Sequence, residues 1–297
     1  MGIEWMRAHP TCTTVAVEAD PERAARIGRN AASLGVPTLR VVHGRAPEAF
    51  DKLPAPDAVF VGGAATVLGV VTGSLTRLYP GTYLDEEVLG HCSPDTQLVD
   101  TQHLDLDQIM GHLLETDRDG LEVVRLVSGD PSVYSALTEQ TRRLDEAGVA
   151  WEVTPGVPAY AAAAALVGRE LTVPLITQSV VLTRAQARST AMPETEALRH
   201  FARTRATLVI HLATTRIREV ISELVGEYGA DCPVVVVYRA SQTGEVVLHG
   251  TVADIAEQVE HAGLRQAAVI MVGRALDPRD GGDSYLYDPT RDRSTKS

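Results

Sequence analysis

The chain has 297 residues and a mass of 31.8 kDa, enough for one or two α/β domains with cores of their own. Hydrophobic residues make up 44% and charged residues 22% of it, a globular composition, and no stretch approaches the roughly 18 consecutive apolar residues a membrane-spanning helix needs. Against 39 acidic residues stand 27 basic ones, so 27 minus 39 leaves a net charge of −12. That balance excludes a broad nucleic-acid footprint and demands a local basic patch for any polyanionic ligand.

Short β-branched runs alternate with alanine- and leucine-rich stretches, the pattern of an α/β protein. In chain order, strands are expected over 13–17, 38–43, 58–61, 67–71, 97–100, 122–127, 179–183, 207–211, 233–237, 245–249 and 267–272. Helices are expected over 22–34, 105–114, 133–147, 159–167, 214–225 and 252–262, where apolar residues recur every three and four positions. Pro21 after Asp20 suits a helix start, and Gly35 suits its end. Proline and glycine concentrate at Thr154-Pro155-Gly156-Val157-Pro158, which neither continues a strand nor sits inside a helix, so a connection between two domains is expected there.

The most specific local signal is Arg125-Leu126-Val127-Ser128-Gly129-Asp130-Pro131-Ser132-Val133-Tyr134, an apolar strand running into a turn and then a helix. Gly129 would let a ligand approach the backbone, Asp130 can cap the helix, and Pro131 suits its first position; exposed amides there attract a carboxylate or phosphate. Taken alone, Gly-Asp-Pro reads as an ordinary capped turn. Other chemistry is absent. Cys12, Cys92 and Cys232 are odd in number and far apart, which supports neither a disulfide framework nor a zinc knuckle. The nine histidines show no paired metal-ligand spacing, so no metal is expected, and neither a G-x-S-x-G elbow nor a G-x-x-x-x-G-K-[ST] loop occurs. The amino terminus lacks a basic segment followed by an apolar one, so a cytoplasmic protein is expected.

Further motifs follow in order: Thr154 to Tyr160, Leu171-Thr172-Val173-Pro174, Val181-Leu182-Thr183-Arg184, Thr207 to Leu212, Val237-Tyr238-Arg239-Ala240-Ser241 and Gly250-Thr251. With Gly73-Ser74-Leu75 and Ser128 to Tyr134, this ordered set resembles the tetrapyrrole methylases, and in particular the precorrin-4 C11-methyltransferases of cobalamin (and, more broadly, porphyrin) biosynthesis, from about Thr72 to Tyr287. The resemblance implies two α/β domains with S-adenosylmethionine folded into the cleft between them, a precorrin substrate, a homodimer, and no nucleic-acid or membrane partner. It implies cofactor contacts from Ser128, Gly129, Asp130, Val133, Pro158 and Ala159, and from Leu212 and Ala240 of the second domain, mostly through main-chain groups. Methyl transfer from a sulfonium to carbon is an in-line displacement in which the protein aligns the reactants and excludes water. His211 and Tyr238, at strand ends, are candidates for a base that assists proton loss. Arg184, Arg188 and Arg239 are suited to the carboxylates of the acceptor, and read equally well as solvated surface arginines.

Residues 1–66 read differently. Val15-Ala16-Val17-Glu18 followed by a helix is a strand ending in an acidic residue, the place where Rossmann-like methyltransferases hold ribose hydroxyls. With Gly2-Ile3-Glu4-Trp5, Arg45-Ala46-Pro47 and Pro56 to Gly63, it resembles a fragment of the decarboxylating precorrin methyltransferases acting at C15, without the glycine-rich loop that should precede Glu18. A tetrapyrrole methylase should also begin with a strand, a glycine-proline loop and a helix before Gly73. The five residues between Val61 and Val67 are too short for the crossover that parallel strands require. The expected layout is therefore a truncated Rossmann-like fragment over 1–66, a first methylase domain over 67–155 lacking its first strand, loop and helix, a second methylase domain over 156–280, and a tail over 281–297. The function expected is S-adenosylmethionine-dependent methylation of precorrin-4 at C11. A protein that binds tetrapyrrole or cofactor without turnover, and an inactive fusion product, are the alternatives.

Overall fold

The computed structural model describes residues 14–18, 21–33, 35–44, 75–84, 86–89, 92, 96–185, 191–278, 282–285 and 290. The strands expected over 58–61 and 67–71, the segment where a first strand, loop and helix would be lost, and Arg188 lie outside the described residues. The chain divides into two units, Met1–Val59 and Phe60–Ser297.

In the first unit, strand β1 (Val15–Glu18), helix α1 (Pro21–Ser33) and strand β2 (Arg40–His43) form one crossover, with β1 parallel to β2 and Glu18 opposite His43. Pro21 opens the helix as the sequence predicts, its fixed φ fitting the first turn. Gly35 follows in the left-handed conformation (φ 82°), and the amide of Val36 closes the helix end on the Ala31 carbonyl at 2.9 Å. Among the described residues of this unit, Ala31, Val36 and Leu39 form the buried core, backed by Ala16, Ile27 and Val41.

The second unit holds two sheets. The smaller is parallel, with β3 (Leu75–Tyr79) between β4 (Gln97–Asp100) and β5 (Glu122–Arg125). β3 is absent from the sequence expectation; Leu-Thr-Arg-Leu-Tyr carries a single β-branched residue, too weak a signal beside the apolar run before it. Two elements connect β3 to β4, a 3-10 turn (Gly81–Tyr83) and helix α2 (Glu86–Leu89). Helix α3 (Leu106–Arg118) starts at a capping box: the Asp105 carboxylate accepts the Gln108 amide, and the Gln108 side chain accepts the Asp105 amide. It lays Ile109, Met110 and Leu113 over Leu78. Helix α4 (Leu137–Ala147) starts four residues later than expected, because residues 131–135 form a turn and Ala136 takes a left-handed conformation at φ 57°. The Gln140 side chain occupies the carbonyls of Ser135 and Ala136 at 3.1 Å each.

Beyond helix α5 (Ala159–Leu166) lies the larger sheet, in the order β6 (Val180–Arg184), β7 (Thr207–His211), β10 (Ala268–Val272), β8 (Pro233–Tyr238) and β9 (Val246–Thr251). β6 and β7 are parallel, while β10 runs antiparallel to both β7 and β8. Alternation along the strands sends one set of side chains to each face. Leu208, Ile210, Val234, Val236, Ile270 and Val272 pack against helices α6 (Leu198–Ala202), α7 (Ile217–Tyr228) and α8 (Ile255–His261). Val209, Val235, Val237, Val269 and Met271 pack against α5, whose alanines, Ala163 fully buried among them, let the helix approach closely. No helix among the described residues is long and apolar enough to cross a membrane.

Candidate functional site

The strand directions place the candidate residues along two facing rims. In the larger sheet β6, β7 and β8 share a direction, so their carboxyl ends Arg184, His211 and Tyr238 lie on one edge. The register makes this concrete: Arg184 is opposite His211, His211 opposite Val269, and Tyr238 opposite Ala268. In the smaller sheet the carboxyl ends of β3, β4 and β5 lead into the turns at 80–84, 101–105 and 126–130. Contacts among the described residues join the rims. The Tyr134 ring lies 5.4 Å from that of His211, the Gln242 amide donates to the Tyr83 carbonyl at 3.2 Å, and the Tyr83 hydroxyl meets Gln266 Oε1 at 3.3 Å. Ligands of open α/β sheets bind outside strand carboxyl ends.

On the first rim the Ser128-Gly129-Asp130-Pro131 turn and the Thr154 to Pro158 segment meet backbone to backbone. Gly156 has no room for a side chain: a Cβ there would sit 2.0 Å from the Gly129 carbonyl oxygen and 3.2 Å from the Asp130 Cα. Gly129 is itself left-handed (φ 79°), and a Cβ there would touch the Ala159 amide at 3.5 Å. Asp130 ties the two segments together. One carboxylate oxygen accepts the Ser132 amide (2.9 Å) and the Ser132 hydroxyl, and the other accepts the Gly156 amide at 2.8 Å. Asp130 is thus a strap between two loops, and the helix it was expected to cap begins only at Leu137. Burial pushes its carboxyl up, but the three hydrogen bonds outweigh this and hold it below the usual aspartate value.

Ser128 is exposed, Val133 is half-buried, and Pro158 precedes α5 with its carbonyl accepting the amides of Ala161 and Ala162. Ala159, the first residue of α5, is exposed beside Gly129. On the second rim Leu212 and Arg239 each follow a strand end and each turn left-handed, at φ 54° and 50°. That conformation rotates the main chain out of the sheet and costs a non-glycine residue about 1 kcal/mol or more. Tyr134, Ala136, Ser241 and Ala267 share it, so six of the eight described non-glycine residues with positive φ lie along these rims. Such strain concentrates where a backbone conformation serves a ligand. Leu212 is 57% exposed despite its apolar side chain, and Ala240 packs on the α5 face of the sheet.

The polar side chains separate into two groups. His211 and Arg184 are neighbours across β6 and β7, with Tyr134 against the imidazole. His211 Nε2 is buried with no hydrogen-bond partner among the described residues, and burial holds the imidazole below its ordinary value, which favours its neutral form at pH 7. Burial raises the Tyr134 phenol, which Arg184 pulls down and Glu196 pushes up. Tyr238 and Arg239 lie on the far side of β10; the Arg239 guanidinium rests 5.5 Å above the Tyr238 ring with Nη1 turned to its own loop at Thr243. Sequence reasoning named neither Tyr134 nor Gly156 as site residues, although both stand inside the quoted motifs. Among the described residues no cluster of His, Cys, Asp or Glu suits a metal ion.

Two unlike sheets, a parallel one of three described strands and a mixed one of five, joined at their strand carboxyl ends, define a two-sheet α/β class of protein. Residues 59–256 match the family Tetrapyrrole (Corrin/Porphyrin) Methylases, and the chain belongs to it. Residues 1–89 match a second family, the Precorrin methyltransferase domain, which overlaps the first over 59–89. A precorrin-4 C(11)-methyltransferase of Rhodococcus erythropolis is 50% identical over 226 residues, 76% of this chain and 91% of that one. A decarboxylating precorrin-6Y C(5,15)-methyltransferase of a Sinorhizobium species is 52% identical over 81 residues, 27% of this chain and 20% of that one. Among solved structures, a cobalt precorrin-4 methyltransferase superposes with a TM-score of 0.65 at 36% identity, covering 68% of this chain and 85% of its own. The uroporphyrin-III C-methyl transferase of Thermus thermophilus complexed with S-adenyl homocysteine gives 0.55 at 27% identity, covering 68% and 86%.

Proposed function

We propose that the chain is an S-adenosylmethionine-dependent methyltransferase that methylates precorrin-4 at C11 in cobalamin biosynthesis. The observation that carries this reading is the 50% identity to a precorrin-4 C(11)-methyltransferase over 91% of its length, and the backbone-to-backbone meeting of Gly129 and Gly156 under the Asp130 strap and the left-handed turns at Leu212 and Arg239 support it. The residues present fit such a cofactor, since Gly129 and Gly156 bring the two loops of the first rim together main chain to main chain, and the main chain turns out of the larger sheet at Leu212 and Arg239. When bound, the cofactor supplies the electrophilic methyl group. The chain's share is to hold donor and acceptor in line and keep water out, through Ser128, Gly129, Asp130, Val133, Pro158 and Ala159 on one rim and Leu212 and Ala240 on the other. His211 is the better placed of the two base candidates: burial favours its neutral form at pH 7, and Nε2, without a hydrogen-bond partner among the described residues, can accept a proton. Arg184 stands beside it and suits a carboxylate of the acceptor.

The same reading includes a methylase body with domains over 67–155 and 156–280, a cytoplasmic location and a homodimer. Calorimetric titration of the full chain with S-adenosylhomocysteine tests it. Micromolar binding followed by methyl transfer to precorrin-4 is the expected outcome, and a folded chain that binds nothing would end the proposal. Binding without transfer would favour the second reading, a tetrapyrrole- or cofactor-binding protein without turnover.

A further inference from the structure

Arg125, the last residue of β5, is a half-buried cation to which the reading above gives no task. Its side chain crosses the carboxyl end of the parallel sheet. Nη1 donates to Thr101 Oγ1 at 3.0 Å, just beyond the end of β4, and to the Leu126 carbonyl at 3.1 Å. The Thr101 hydroxyl in turn donates to the Tyr79 carbonyl at the end of β3 at 2.9 Å. The guanidinium is therefore pinned by one nitrogen across all three strand ends. Its other edge, Nε and Nη2, has no acceptor among the described residues, and Nε is buried.

An arginine offers that Nε and Nη2 edge to carboxylates as a two-pronged fork, and this chain uses it so elsewhere. Arg218 grips Glu260, one oxygen on Nε and the other on Nη2, and Arg216 places the same two nitrogens on Glu219. Both of those pairs lie on the exposed surface. Among the described residues no such acid meets Arg125: Asp100, at the end of β4, spends its Oδ1 on the Gln102 amide. Burial lowers the guanidinium's proton affinity, and no neighbouring carboxylate restores it. A buried charge without a partner is costly, and a carboxylate that completes the fork recovers that cost.

We infer that Arg125, held by Thr101 and the Leu126 carbonyl, is a carboxylate-receiving site at the first rim of the cleft, with its Nε and Nη2 edge as the receiving fork. The inference rests on the methyltransferase reading, which brings two carboxylate sources to this rim: the aminoacyl group of the cofactor and the acidic side chains of the tetrapyrrole. Titration of the wild type, Arg125→Gln and Arg125→Lys with S-adenosylhomocysteine and with methylthioadenosine, which lacks the carboxylate, separates them. If the cofactor's carboxylate fills the fork, Arg125→Gln weakens S-adenosylhomocysteine roughly 10- to 100-fold, in keeping with loss of a charge-assisted pair, and leaves methylthioadenosine unchanged. If the acceptor fills it, both nucleosides bind as before while KM for the tetrapyrrole rises by a similar factor at constant kcat. Arg125→Lys keeps the charge without the fork and restores only part of either loss, and it carries the test should Arg125→Gln fail to fold. Unchanged binding and unchanged KM in both variants overturn the inference while the methyltransferase reading stands. No binding by the wild type removes both.

Discussion

The two sheets of the methylase body are built to different standards. In the larger one, Leu208, Val209, Ile210, Val234, Val236, Ile270, Met271 and Val272 are all fully buried, with helices on both faces. In the smaller one, among the described residues, only Leu78 is buried to that degree, Leu98 is 43% exposed on β4, and Arg77, 93% buried, has an Nε without a hydrogen-bond partner. A parallel sheet is ordinarily covered on both faces. The difference teaches that stability resides in the second sheet, while the first supplies the turns of the proposed site and retains polar groups that its described packing does not satisfy.

This contrast can be broken at its strong end first. Replacing Ile270 with alanine is expected to cost about 4 kcal/mol, at the upper part of the usual range for a fully buried aliphatic, and to lower the urea midpoint of the whole chain. Leu78→Ala, in a cluster whose other buried members are Ile109, Met110 and Leu113, is expected to cost nearer 2 kcal/mol. Hydrogen exchange should then show β3 to β5 opening while β7, β8 and β10 stay protected; equal cost and joint opening would erase the distinction. A smaller effect on stability, about 1–3 kcal/mol of overpacking, is expected for Gly156→Ala, because its Cβ meets the Gly129 carbonyl. There the sharper readout is ligand: S-adenosylhomocysteine binding should vanish before the fold does, and intact binding would show that the two loops need not touch.

The smallest expected effect is electrostatic. Burial holds His211 below its ordinary value of 6.5, so as pH falls the unfolded chain takes up the proton first. The associated stability is fully present above about pH 6.5 and is lost as pH falls through the lowered folded value, with a slope of at most about 1.4 kcal/mol per pH unit for one proton. Thermal melts from pH 7.5 to 5 should show this slope in the wild type and lose it in His211→Gln. A slope that persists in the variant would place the titrating group elsewhere.

Much of this was readable from the residues. The strands at 97–100 and 207–211 coincide with their expected bounds; the second is filled by Thr-Leu-Val-Ile, the β-branched and apolar run that marks a buried strand. The ordered motifs named the family, and their glycines marked the place where two loops touch. What the sequence withheld depends on long-range geometry. Nothing local shows that Asp130 reaches Gly156 across 26 positions, so helix capping was the natural reading of Asp-Pro. Tyr134 has no sequence mark of its left-handed backbone or of its place against His211, 77 residues on. Arg125 in a strand reads as a surface residue until Thr101 is seen to hold it inward.

The position of β10 has one further consequence. It enters the sheet between β7 and β8 and runs against both, pairing Val269 with His211 and Ala268 with Tyr238. The turns after β7 and β8, both part of the proposed site, are therefore two strand spacings apart, about 10 Å, and their relative height is set by the register of a strand that carries neither of them. Its ends are fixed, with the Ala267 carbonyl accepting the Arg239 amide and the Gly273 amide donating to the Pro233 carbonyl. β10 acts as the gauge block of the cleft: an insertion of a single residue there would displace both turns together, without altering one residue of either turn.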